Sequence, residues 1–283
     1  PKRNPLNEAT TTNLNWSFFV VASFKVLDTR SVNWSLGAGY SHYSNGHSRL
    51  PNLGYNTVLL VTSLQLSTTK NKPEPWQATK GFKKKRNYYL ELRSGLGHHV
   101  LSRNFNKQLP VFSFAVSGGK TYNNTLKIGV GIYGRYYRHY HNYINNNEFL
   151  IETEYPRFRK NPDKYASAFG AFASAEILMN HISIIANLGV NVYKPFYEME
   201  RKVGAYYEYY TPEGKKVVVS DYGDLDGDYT LKKYISSRLG LRFYVLGTKT
   251  HKKWNAFASA TINANAGQAD FNEFSIGIIR NFL

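Results

Sequence analysis

The 283-residue sequence has no cysteine, only 2 methionines, and 19 acidic residues against 36 Lys and Arg. Without cysteine there is no disulfide framework, no thiolate zinc site and no cysteine nucleophile. No apolar run reaches the ~18 residues expected of a transmembrane helix. The shortage of acid leaves a formal charge of +17, which asks for an anionic partner: nucleic acid, an anionic membrane or an acidic ligand. Aromatic residues are abundant, at 16% with 23 Tyr, and hydrophobic residues reach 42%; that content argues against disorder. The mean hydropathy of -0.45 would suit a soluble protein. A transmembrane β-barrel gives the same average, because strict alternation hides its apolar face. The chain begins at Pro1 with no signal-peptide pattern, so processing or truncation of the start is expected.

Period-two alternation runs through most of the sequence. Leu14, Trp16, Phe18, Val20, Ala22, Phe24 and Val26 share one face, with Asn13, Asn15, Ser17, Ser23 and Lys25 on the other. Val32, Trp34, Leu36, Ala38 and Tyr40 repeat the pattern, and so do Ile182, Ile184, Leu188, Val190 and Val192. Leu241, Phe243 and Val245 oppose Arg238, Gly240 and Arg242. Such runs are longer than globular strands of about 5–6 residues. They suit the roughly 9–11 residues with which a tilted strand crosses a bilayer. A soluble sandwich also alternates, but with shorter strands. Trp16, Trp34, Tyr88, Tyr89, Tyr193, Trp254 and Phe282 fall near strand ends, as interfacial girdles require.

The pattern predicts an all-β protein, an antiparallel up-and-down transmembrane barrel with about eleven strands visible and about twelve or more when complete. Short turns near 28–31, 123–124, 179–180 and 248–252 are expected on the periplasmic side. Long loops near 44–56, 102–110, 145–163, 197–231 and 267–271 are expected outside the cell. Bacterial barrels keep an even strand number, so an odd number of strands is expected upstream of this numbering; a missed strand within 197–231 is the alternative.

One stretch carries chemistry. His42 and Ser44 lie two apart on a strand and share the apolar face of Leu36, Ala38 and Tyr40. Asn56 opens the next strand, in phase with Val58, Leu60, Thr62 and Leu64, within reach of His42 across a hairpin. Ser44, His42 and Asn56 are then nucleophile, base and orienter. Asn45, Asn52 and the backbone around Gly46 are candidate oxyanion-hole donors. Pro51, Asn52 and Gly54 also read simply as turn residues.

The run His42-Tyr43-Ser44-Asn45 followed by Pro51-Asn52-Leu53-Gly54 resembles the outer-membrane lipid A 3-O-deacylases, or acyloxyacyl hydrolases, over roughly residues 13–69. The resemblance implies that His42 is the general base and Ser44 the nucleophile of ester cleavage in lipopolysaccharide. The family's orienting carboxylate would fall at position 56, where this chain has Asn. The resemblance further implies that these residues are the last three strands of an eight-stranded barrel. The expected organisation is therefore 1–69 deacylase-like strands, a basic linker at 70–86 and further strands over 87–283. The last belong to the same enlarged barrel or, alternatively, to a second one.

Other motifs read more plainly. His98 and His99 are adjacent and point to opposite faces, so no metal site and no cofactor are expected. Arg135 to His141 alternates cations with aromatics; in a barrel these are girdle, lumen and headgroup residues, so no nucleic acid is expected. Asp224, Asp226 and Asp228 suggest part of a calcium loop, but Ile235 stands where the closing Glu belongs. Arg49, Arg103, Lys107, Arg157, Arg159 and Lys160 suit lipopolysaccharide phosphates. The expected function is that of a serine esterase of the bacterial outer membrane acting on lipid A. The alternative is a catalytically decayed barrel serving as an accessory subunit of an outer-membrane protein complex.

Overall fold

The computed structural model describes residues 12–13, 15–29, 31–66, 86–220, 226–249 and 252–282. The basic linker, apart from Arg86, and Asp224 lie outside the described residues. The chain divides into two compact units, Pro1–Asn45 with Pro51–Lys83, and Gly46–Leu50 with Lys84–Leu283.

In the first unit β1 (Trp16–Asp28), β2 (Val32–Ser44) and β3 (Tyr55–Leu66) form an antiparallel sheet in that order. The Thr29 N–H donates to Val32 O at 2.9 Å, and the Val32 N–H returns a bond to Thr29 Oγ1 at 2.9 Å, closing the first hairpin. The sheet presents Phe18, Phe24, Val58, Leu60 and Leu64 as exposed side chains. An apolar surface of this extent belongs against lipid.

The second unit contains β4 (Arg86–His99), β5 (Leu109–Tyr122), β6 (Leu126–Tyr137), β7 (Ser167–Met179), β8 (Ile182–Tyr193), β9 (Tyr206–Tyr210), β10 (Lys216–Ser220), β11 (Ile235–Tyr244), β12 (Trp254–Asn265) and β13 (Gln268–Phe282). Eight of these close into an antiparallel barrel in the order β11-β12-β13-β4-β5-β6-β7-β8, completed by the pairing of β8 with β11. The expected all-β antiparallel barrel is present with a different strand number: about eleven were expected, twelve or more when complete, and eight close the barrel. Two of the other strands, β9 and β10, pair with each other inside a loop, and the first three make their own sheet. Alternation alone shows that a strand exists but not which neighbour it takes, so the count overshot.

Alternation fixes the wall. Leu90, Leu92, Phe112, Ile128, Ile132, Leu188 and Ile276 point outward, while Glu91, Arg93, Lys127, Glu176, Arg238, Arg242 and Glu273 are buried inside. Tyr89, expected in a girdle, is one of the inward residues and is 3% exposed; its neighbour Tyr88 points out. Asn123 and Asn124, with φ of 50° and 55°, make the two-residue turn between β5 and β6. Ala266 and Gly267 do the same between β12 and β13, so the long loop expected at 267–271 is a tight turn. Gly97 is an inward position where an added Cβ would run into the Phe271 ring on the paired strand.

The lumen is filled, not open. Arg242 Nη2 bonds Glu91 Oε1 at 2.8 Å and Arg242 Nη1 bonds Glu176 Oε2 at 3.0 Å. Lys127 Nζ completes the ring, 2.7 Å from Glu91 and 2.8 Å from Glu176. Glu273 takes Arg93, Arg238 at 3.1 Å and the Ser113 hydroxyl at 2.8 Å. Buried charges survive only when paired in this way.

The long connections cap one end. They contain α1 (Arg138–Asn145), α2 (Phe149–Thr153), α3 (Pro162–Tyr165), α4 (Tyr197–Ala205) and α5 (Asp226–Tyr234). Tyr140, Ile144, Leu150, Phe158, Phe196 and Met199 bury a core there, with Tyr140 stacked on Phe196 at 3.9 Å.

Candidate active site

The register of the three-stranded sheet assembles the site. His42 on β2 is paired directly with Asn56 on β3, and directly opposed side chains on one face meet. His42 Nδ1 lies 2.7 Å from Asn56 Oδ1. Ser44, two residues along and therefore on the same face, places Oγ 2.9 Å from His42 Nε2. A carbonyl oxygen on the Nδ1 side requires Nδ1 to carry the proton, which leaves the Nε2 lone pair facing the serine hydroxyl. All three residues singled out for catalysis are thus joined in one hydrogen-bonded chain.

Two further residues support that chain. The Tyr40 hydroxyl donates to the same Asn56 Oδ1 at 2.6 Å, so the amide oxygen is held from two sides. Tyr40 is two residues before His42 on the same face; the signal was present in the alternation, but Tyr40 read only as part of the apolar stripe with Leu36 and Ala38. Gly54, with φ of 67°, comes next to the pair: an added Cβ would stand 3.2 Å from Ser44 Cβ and 3.3 Å from His42 Cε1. Only a residue without a side chain permits that backbone to approach.

The turn after Ser44 is pinned by its asparagines. The Asn45 N–H donates to Asn52 Oδ1 at 2.9 Å. Ser44 and Asn45 are both buried, at 2% and 1% exposure. Gly46, at φ of 61°, turns the chain onward and belongs to the segment Gly46–Leu50 of the second unit. The barrel's own histidines have other surroundings: His181 Nδ1 bonds Tyr244 O at 2.8 Å, and His99 lies between two carboxylates.

Residues 86–211 match the family model of the acyloxyacyl hydrolase C-terminal domain. That segment of the chain is similar to the acyloxyacyl hydrolases. The match begins with β4, covers the barrel strands through β8 and ends in the loop beyond. It falls on the barrel, whereas the residues that suggested the same family lie upstream of it at 13–69. None of the curated proteins matches the chain. Among solved structures it is similar to Neisserial surface protein A, with 12% identity, a TM-score of 0.35 and coverage of 69% of this chain and 97% of that one. It is also similar to the N-terminal barrel domain of OprF from Pseudomonas aeruginosa, with 7% identity, TM-score 0.31 and coverage of 70% and 100%. The attachment invasion locus protein Ail of Yersinia pestis gives 10% identity, TM-score 0.30 and coverage of 70% and 97%. A closed barrel with an apolar outer wall, carrying a segment similar to the acyloxyacyl hydrolase C-terminal domain, is an outer-membrane protein of a bacterium.

Proposed function

We propose that this acyloxyacyl hydrolase-like protein is a serine esterase that removes an ester-linked acyl chain from lipid A. The observation that carries the reading is the continuous chain from Ser44 Oγ through His42 to Asn56, at 2.9 and 2.7 Å. Ser44 Oγ attacks the ester carbonyl carbon while its proton passes to His42 Nε2. The tetrahedral oxyanion collapses, and the sugar alkoxide leaves with the proton from His42. Water then gives a proton to His42 and attacks the acyl-serine; as the second tetrahedral intermediate collapses, His42 returns that proton to Ser44 Oγ and the fatty acid departs. Because the Asn45 main-chain N–H is already given to Asn52, the side-chain amides of Asn45 and Asn52 are the donors we assign to the oxyanion.

Asn56 fixes the imidazole tautomer but brings no negative charge to the imidazolium that forms, so turnover is slow compared with a carboxylate-bearing site. Exposed Arg103, Lys107, Arg159 and Lys160 on the second unit suit phosphorylated headgroups. Mass spectrometry of lipid A from cells carrying wild type or Ser44→Ala tests the proposal. Loss of one ester-linked chain only with wild type supports it; identical acylation patterns overturn it.

The asparagine at position 56 also favours a second reading, an accessory barrel of an outer-membrane complex whose site has decayed. Purification in mild detergent separates the two. Stoichiometric envelope partners without esterase activity support the accessory role, and an active monomer removes it.

A further inference from the structure

A second cluster lies at the capped end of the barrel, where three separate elements meet. His99 is the last residue of β4 and points inward; Asp270 is on β13, next to the Phe271 that pairs with His99. Glu200 comes from α4, whose Met199 and Val203 are packed into the same core. His99 Nε2 is 3.7 Å from Glu200 Oε1 and 3.7 Å from Asp270 Oδ1. The three donor atoms all lie within 4.8 Å of one another.

Those separations are too long for hydrogen bonds. Among the described residues neither ring nitrogen of His99 has a hydrogen-bond partner, nor has Asp270 Oδ1. Both side chains are 1% exposed. Buried polar atoms in native proteins are almost always satisfied, so His99 Nε2 and Asp270 Oδ1, which face one another without a hydrogen bond, indicate a missing partner. A protonated His99 does not supply it, because its N–H reaches neither oxygen at 3.7 Å. The remaining carboxylate oxygens are already tied down: Asp270 Oδ2 accepts from the Tyr137 hydroxyl at 2.9 Å and from Lys194 Nζ at 3.1 Å. Glu200 Oε2 accepts from the Tyr140 hydroxyl at 2.7 Å. Each carboxylate therefore turns one anchored oxygen away and presents the other to the centre, the arrangement of an outer shell around a metal site.

We propose that His99, Glu200 and Asp270 bind one divalent transition-metal ion of the zinc class. An ion about 2.1 Å from each of two donors that are 3.7 Å apart subtends roughly 120°. One imidazole with two carboxylates suits zinc and its neighbours; calcium takes an all-oxygen shell of about six to eight ligands. The rings of His47 and His139 flank His99 at 5.9 and 5.6 Å. Adjacent His98 points the other way and takes no part. The adjacency of His98 and His99 therefore says nothing against a metal, because the ligands come from distant segments. The bound ion fastens α4 to the rim.

The test uses tag-free full chain folded in detergent micelles, stripped with chelator, loaded with Zn²⁺, Mn²⁺ or Ca²⁺, desalted and assayed by plasma mass spectrometry. The expected result is about one Zn²⁺ per chain, weakened at least about tenfold in Asp270→Asn and in Glu200→Gln, and unchanged in His98→Gln. No zinc retained by wild type whose barrel is folded, as judged by heat-modifiable gel mobility, overturns the proposal. Undiminished zinc in both folded carboxamide variants, or retention of calcium in place of zinc, does the same. If the variants fail to fold, Co²⁺-loaded wild type decides the matter. A visible ligand-field spectrum abolished by excess Zn²⁺ supports the site, and a spectrum of aqueous cobalt overturns it.

Discussion

The three-stranded sheet and the eight-stranded barrel divide the properties of the protein between them. The sheet holds a serine, a histidine and an asparagine in one hydrogen-bonded chain. The barrel holds the family match and an interior of paired charges. In the sheet, polar residues sit on an apolar face and are held by cross-strand register. In the barrel, polar residues are walled off from lipid and held by ion pairs. The segment that matches a family model and the hydrogen-bonded Ser44, His42 and Asn56 are thus different parts of one chain.

The sharpest way to break this division is Ser44→Ala. On the proposed mechanism it lowers ester cleavage by about 10³-fold or more, measured with purified lipid A, while the heat-modifiable mobility of the barrel stays unchanged. The converse is Glu176→Gln. It leaves Arg242 and Lys127 with one carboxylate between them and costs about 3–5 kcal/mol of barrel stability. Urea unfolding in lipid vesicles reads that loss, and cleavage measured below the unfolding transition remains. If Glu176→Gln abolished cleavage in folded protein, the division would be wrong. Asn56→Asp supplies the missing charge beside His42 and should raise turnover about 10²-fold, followed as fatty-acid release. Tyr40→Phe removes one of two hydrogen bonds to Asn56 Oδ1, a loss of about 1 kcal/mol and so roughly fivefold in turnover. Restoration of full rate in the Tyr40→Phe/Asn56→Asp double variant would show that Tyr40 acts by holding Asn56.

Legibility in the sequence followed locality. Alternation exposed nearly every strand, since side-chain direction in a strand depends on parity alone. The His42, Ser44 and Asn56 arrangement was legible for the same reason: two residues share a strand and the third follows after one hairpin. Closure at eight was not, because pairing of β4 with β13 joins residues such as Tyr88 and Phe282 from opposite ends of the unit. Arg135 to His141 read as strand and girdle because its aromatics alternate with cations. The structure ends β6 at Tyr137 and starts α1 at Arg138, burying Tyr140, Tyr143 and Ile144 at helical spacing. His99, Glu200 and Asp270 lie too far apart in sequence for any spacing to announce them. The charge of +17 was read mainly as a signal of an anionic partner. Arg93, Lys127, Arg135, Lys194, Arg238 and Arg242 are buried, so part of it is neutralised inside.

The paired interior also dictates how the barrel can be assembled. Glu91 arrives on β4, Lys127 on β6, Glu176 on β7 and Arg242 on β11, while the carboxylate shared by Arg93 and Arg238 arrives only with β13. An open arc of strands entering hydrocarbon would carry naked guanidinium groups, at a cost lipid does not tolerate. Closing the ring with β13 sets Glu273 beside Arg93 and Arg238, so the last strand is also the one that neutralises this part of the interior.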